Sequence, residues 1–221
     1  MNSRVAAAVE RALDPRQREA IQEVERILEA ALVVIERVAP DPPRVSDIVV
    51  EAGTSNAAFY RYFSSKDDLI LAVIERGVGM VVSYLEHEMA KEPTPLDAVA
   101  RWIEGALVQV SDPHLTRMSR AVLSQLAVHK DIEISEPLRQ LLLQQIIAVG
   151  CTDPARAADA VFATVMGTLR RHVAAATQPG PGEVDYLASF CLKAIDPQVP
   201  ASAVARRRRA RSVRKKRRTN P

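Results

Sequence analysis

Apolar residues recur at three- and four-residue spacing through most of this 221-residue chain, the period of a helix that buries one face. Over residues 17–39 they fall at Ile21, Val24, Leu28, Ala31, Leu32, Ile35 and Val38. Pro40, Pro42 and Pro43 end that helix, because proline removes a backbone donor and its ring clashes with the preceding turn. The stripe Val45, Ile48, Val49 and Ala52 predicts a short helix over about 45–52, closed by Gly53 in the left-handed position that glycine adopts freely. Ser55 is placed to cap a further helix to Phe63, with Phe59 and Phe63 one turn apart on its inward face. Ser65, with Asp68 three residues on, reads as a variant capping box that opens a long helix to about Ala90, weakened by Gly77 and Gly79. Lys91–Pro95, KEPTP, interrupts the pattern most clearly, and helical periodicity resumes over roughly 96–110, 114–130, 135–149, 154–177 and 183–195. No run alternates with the period of a strand, and no repeat of fixed length appears. The expected fold is all-α, with an N-terminal extension at 1–16, a head of three helices at 17–65, a larger helical body at 66–200 and a tail at 201–221.

Chemistry concentrates in the head. Four of the nine Phe, Trp and Tyr residues fall within residues 59–63, Phe-Tyr-Arg-Tyr-Phe. Two short helices joined by a tight turn and steadied by a longer one form the helix-turn-helix geometry that lays its second helix in the major groove of DNA. Such a helix must be slim where it meets base edges, as Asn56, Ala57 and Ala58 are, and able to donate to phosphates alongside, as Tyr60, Arg61, Tyr62 and Lys66 are.

Residues 44–75, RVSDIVVEAGTSNAAFYRYFSSKDDLILAVIE, resemble the DNA-binding head of the tetracycline-repressor (TetR-type) family. The resemblance rests on the short helix ending in Ala52-Gly53, the tight turn, the Phe59-Tyr60-x-x-Phe63 segment and Ser65-Lys66-x-x-Leu69 at the next helix start. With the helix at 17–39 it covers about 50 residues; the body shares only length and helicity. It implies that Asn56, Ala57 and Ala58 face bases, with Ser55 at the head of the same helix. Tyr60 and Tyr62 would contact the backbone and nearby bases, Lys66 a phosphate, and Arg44 and Ser46 would approach the groove from the side. Two positions depart from the family pattern: Arg44 stands where a Ser or Thr commonly caps the second helix, and Thr54 where an apolar residue commonly plugs the turn. The resemblance further implies a homodimer on a palindromic operator in double-stranded DNA, released by a small-molecule effector. The last two body helices would form the dimer interface.

In the body, Ala160, Thr164, Gly167 and Arg171 make a slim face on the helix at 154–177, suited to close approach by a second helix. Trp102, Met118, Leu126, Phe162 and Met166 are the candidate lining of a pocket for a mainly apolar ligand, with His114, His129 and His172 as possible polar anchors; the same residues at helical spacing also read as core. The histidines lack metal-ligand spacing, and neither a phosphate-cradling loop nor a nucleophile–base arrangement occurs, so neither catalysis nor a cofactor is expected. Cys151 and Cys191 read as reduced thiols in helices.

Charge changes the picture at one end. The net charge of +3 conceals ten Arg and Lys, without an acid, in residues 201–221; the first 200 residues carry 20 bases and 27 acids. Arg206, Arg207, Arg208, Arg209, Arg211, Arg214, Lys215, Lys216, Arg217 and Arg218 are candidate accessory phosphate contacts, compensating a head whose first 75 residues hold 9 bases against 13 acids. The alternative to a specific regulator is a sequence-indifferent nucleic-acid-binding protein led by this tail. The chain lacks both an apolar run of membrane-spanning length and a secretory segment, so a cytoplasmic protein without a membrane partner is expected.

Overall fold

The computed structural model describes residues 4–39, 41–108 and 131–198. The helix expected over 114–130, with His114, Met118, Leu126 and His129, and the basic residues Arg206 to Arg218 lie outside the described residues. Within them every regular element is an α-helix: α1 Arg4–Val38, α2 Val45–Glu51, α3 Asn56–Tyr62, α4 Lys66–Met89, α5 Pro95–Val108, α6 Asp131–Val149, α7 Pro154–Ala175 and α8 Pro181–Ile195. The chain divides into two compact units inside α4, between Arg76 and Gly77. Two helices start earlier than the apolar pattern suggests. The first runs from Arg4 through Pro15, and α6 from Asp131 through Pro137. No described helix is long and apolar enough to cross a membrane.

The head core is built from one stripe of each of its helices. Ile27, Leu28, Ala31 and Val34 of α1 meet Ile48 and Val49 of α2, Phe59 and Phe63 at the end of α3, and Leu69 and Val73 of α4. Phe59 is fully buried and its ring lies 5.7 Å from that of Phe63, so the aromatic pair read from sequence seats α3 on the core.

In the second unit, Leu85 and Met89 of α4 pack with α5 through α8 around Trp102, Ile103, Leu142, Ile146, Val165 and Leu192. Trp102 is fully buried and donates its Nε1–H to the Leu138 carbonyl at 3.1 Å. Phe162 tilts against it at 6.0 Å between ring centroids, and Met166 is partly buried on the same core. Trp102 is therefore a core residue with its one polar atom satisfied. Arg101 is largely enclosed between α4 and α5, where Glu88, Glu104 and the Tyr84 hydroxyl surround its guanidinium. His172 is buried at the end of α7, with Nδ1 2.8 Å from Thr177 Oγ1 and Nε2 3.1 Å from Glu183 Oε2, so it pins the α7–α8 turn. Both cysteines are free thiols; Cys191 is buried, which pushes its pKa up to about 11, and Cys151 is half-buried.

Candidate nucleic-acid interface

Three local devices, all written within twenty residues, hold the second short helix in place. At the end of α2 the amides of Gly53 and Thr54 donate to the carbonyls of Val50 and Val49, at 3.2 and 3.0 Å, closing the helix with a left-handed Gly53 at φ +62°. Arg44 precedes α2 without a side-chain capping bond. Ser55 then caps α3 as expected, its Oγ accepting the Ala58 amide at 3.1 Å. At the start of α4 the Ser65 hydroxyl accepts the Asp68 amide at 3.1 Å, while Asp68 Oδ2 accepts the amide and hydroxyl of Ser64. The capping box is thus a variant in which the carboxylate reaches one residue beyond the cap.

The exposed face of α3 carries Asn56, Ala57, Tyr60 and Arg61, the i, i+1, i+4, i+5 pattern of one side of a helix. Tyr60 is 58% exposed, unusually open for its size, and Arg44 and Ser46 are exposed beside the start of α2. Ser55 is exposed, with its oxygen engaged in the cap, and Lys66 is half-buried at the start of α4. Ala58 differs from the expectation: it is buried beside Phe59, on the inward side of α3 and away from Asn56 and Ala57. An alanine carries no sequence signal for either side.

Tyr62 occupies an intermediate position. Its ring packs on the head core, and its hydroxyl donates to Glu23 Oε2 of α1 at 2.8 Å. The same carboxylate oxygen accepts from Arg61 Nη2 at 2.6 Å, and Glu23 Oε1 accepts from the Thr54 hydroxyl at 3.2 Å. Arg61 Nη2 is also 3.1 Å from the Tyr62 oxygen, and its guanidinium carbon stands 4.7 Å from the Tyr62 ring centre. The Tyr62 hydrogen bond above all, then those of Thr54 and Arg61, hold the Glu23 carboxyl below its ordinary range against the opposing effect of burial. Glu23 is the residue that the sequence reading missed, and Thr54, which departs from the apolar family pattern, is one of its ligands. Two further ion pairs fasten the head: Arg37 to Glu51, at 2.9 Å, and Arg76 to Glu25, at 2.9 Å.

On the body, Ala160 and Gly167 of α7 are exposed and Thr164 is half-buried, its hydroxyl returned to the Ala160 carbonyl at 2.7 Å. Tyr186 and Phe190, one turn apart on α8, are 72% and 54% exposed.

Residues 27–73 match the family model of bacterial regulatory proteins, tetR family. An uncharacterized HTH-type transcriptional regulator of Bacillus subtilis, YvdT, is 51% identical over 51 residues, 23% of this chain and 26% of that protein. The fatty acid metabolism regulator protein of the same organism is 22% identical over 118 residues, 53% of this chain and 59% of its own length. The chain therefore matches these curated relatives over less than two thirds of their length. Among solved structures, the transcriptional regulator FadR from Bacillus subtilis in complex with stearoyl-CoA is similar with a TM-score of 0.60 at 20% identity, over 80% of this chain and 99% of that one. RolR in complex with resorcinol gives a TM-score of 0.58 at 16% identity, over 86% and 95%. At these identities the two structures establish the fold.

Proposed function

We propose, from the premise that this chain is a TetR-type transcriptional regulator, that it binds a palindromic operator as a homodimer and releases it when a small, mainly apolar ligand occupies the body. The observation that carries the reading is the exposed face of α3, where Asn56, Ala57, Tyr60 and Arg61 stand together on a helix seated by Phe59 and Phe63. Asn56, in the first turn, is placed to read a base edge, since an amide can pair in bidentate fashion with adenine. Tyr60, Arg61, Lys66, Arg44 and Ser46 offer donors to the flanking phosphates.

Dimerisation through α7 and α8 is supported by the slim face at Ala160, Thr164 and Gly167 and by the exposed pair Tyr186 and Phe190, apolar surface that a second copy would cover. The ligand class is supported by the two similar regulators solved with stearoyl-CoA and with resorcinol, both of which offer apolar surface. Phe162 and Met166, with Met118 and Leu126, are the residues we assign to it. Effector control would be a shift in population between body conformations, transmitted along α4. The protein works in the cytoplasm, without catalysis, and its basic tail adds generic attraction to phosphates.

The test is selection from a random-sequence duplex pool by the full chain, followed by titration of the enriched duplex against its scrambled version at fixed salt. A specific regulator should prefer the enriched duplex by at least about a thousandfold. Asn56→Ala should then cost about 1–3 kcal/mol on that duplex and relax the choice at one base pair per half-site. Equal affinity for both duplexes would establish the sequence-indifferent alternative.

A further inference from the structure

We infer that Glu23 and Tyr62 are positioning residues, which hold Arg61 ready for a DNA phosphate, and that Tyr62 acts through Arg61 instead of touching the DNA itself. The inference rests on the proposed DNA-reading function and deepens it. A tyrosine hydroxyl has one hydrogen to give, and in the DNA-free head Tyr62 gives it to Glu23 Oε2 at 2.8 Å. The guanidinium of Arg61 has five N–H donors. Only those of Nη2 are directed at Glu23 and the Tyr62 oxygen, at 2.6 and 3.1 Å, which leaves Nη1 and Nε for an external oxygen. The side chain is 59% exposed although three groups fix it: the carboxylate, the phenol oxygen and the face of the Tyr62 ring.

Holding a long side chain in one place before binding removes an entropy loss that association would otherwise incur. The support is anchored in turn, because Glu23 belongs to α1 and is also held by Thr54 in the turn between the short helices. One carboxylate thereby joins the bracing helix, the turn and the reading helix. Arg61 lies in the last turn of α3, whereas the base-reading end of such a helix is its first turn, so the expected acceptor is a backbone phosphate and not a base.

The competing role for Glu23 is that of an internal anion that withholds Arg61 from DNA, and the two roles predict opposite signs. The experiment uses the full chain and the duplex enriched from a random pool, with Kd measured for wild type, Glu23→Ala, Glu23→Gln, Arg61→Ala and the double variant Glu23→Ala with Arg61→Ala. Arg61→Ala should weaken the enriched and scrambled duplexes alike, by about tenfold, and lower the slope of log affinity against log salt by about 0.9. Glu23→Ala should weaken binding severalfold in the presence of Arg61 and change it little in its absence. Glu23→Gln, whose amide oxygen can still accept from Tyr62 and Arg61, should recover most of the loss at unchanged thermal stability. A purely structural role for Glu23 would act equally with or without Arg61, and that additivity would overturn the inference. So would tighter binding of every duplex by Glu23→Gln, the mark of a competing anion, or a loss on Arg61→Ala confined to one base pair. Failure of the wild-type chain to prefer any duplex would sink the proposed function instead, and is read from a separate arm of the same titration.

Discussion

The same turn closes two helices in this chain, once with a glycine and once without, and the pair makes a reciprocal test of what holds the reading helix in place. After α2, Gly53 takes φ +62°; after α7, Ala176 takes φ 53° and ψ 37°. In both, the amide of the left-handed residue and the amide of the next one return to carbonyls of the final helical turn: Gly53 to Val50 and Thr54 to Val49, Ala176 to Val173 and Thr177 to His172. A Cβ built on Gly53 meets nothing within 4 Å. Packing therefore contributes nothing against Gly53→Ala, and the whole effect comes from the left-handed backbone, which costs a residue with a Cβ about 1–2 kcal/mol, offset by up to about 1 kcal/mol because alanine is the less flexible residue when unfolded. Gly53→Ala should destabilise the head by about 1 kcal/mol, and Ala176→Gly should stabilise the body by about 0.5–1 kcal/mol.

Urea unfolding followed by circular dichroism reads both, with the fluorescence of Trp102, the single tryptophan of the chain, reporting on the body alone. Because the turn can keep its geometry, Gly53→Ala should retain the DNA preference of the wild type. A loss of 3 kcal/mol or more, or a changed preference, would show that the space around Gly53 is filled and the argument from φ is wrong. No gain at Ala176→Gly would mean that this turn is relaxed without glycine.

Gly105→Ala in α5 should destabilise the body by about 1 kcal/mol, because its Cβ would lie 2.5 Å from Cδ2 of the fully buried Leu85, and about 1–3 kcal/mol of overpacking exceeds the helix preference gained. Gly79→Ala in α4, whose Cβ meets nothing within 4 Å, should instead stabilise by up to about 1 kcal/mol, and melting temperatures that move together would refute the packing argument. Acid should loosen the body through Glu88, whose carboxyl is held at about 2 by hydrogen bonds from Lys91 and then Arg101. Its folded pKa lies below the unfolded one, so the contribution of about 1–2 kcal/mol, discounted for the half-exposed Lys91, is complete above about pH 4.5 and fades as pH falls toward 2. Urea midpoints of wild type and Glu88→Gln between pH 3 and 6 should therefore converge on the acid side, and parallel curves would remove Glu88 from the explanation.

What the sequence showed of the site was whatever its neighbours in the chain decide. Ser55, Gly53 and the Ser65–Asp68 pair act within a few residues of themselves, and each does in the structure what its type and position imply. Phe59 and Phe63 were legible by the same periodicity that set the helix limits. Glu23 was not, because it meets Arg61 and Tyr62 across 38 and 39 residues, and an acid on a helix reads as solvated surface until the fold supplies its partners. Ala58 was misplaced for another reason: its small side chain fits a base-facing surface and a packed one equally, and burial alone separates the two. The start of α1 was hidden by Pro15 and by an alanine-rich stretch without a bulky apolar stripe.

Charge gives the head its character as a reader. With 9 bases against 13 acids in residues 1–75, it has no broad positive field to draw a duplex from a distance, and at 0.1 M salt such a field would in any case decay over about 10 Å. Two of those cations, Arg37 and Arg61, are moreover paired with Glu51 and Glu23, and the next one along the chain, Arg76, is paired with Glu25. On the proposed reading, affinity in the head then has to come from contacts made at hydrogen-bond range, and these form only when Asn56 and its neighbours meet bases in register. Non-specific duplexes gain little from such a surface, whereas an operator gains the base contacts and the phosphate contacts together. On that reading the acid excess of residues 1–75 works for discrimination, and the inferred placement of Arg61 by Glu23 would turn one of those acids from an opponent of phosphate binding into the support of the residue that performs it.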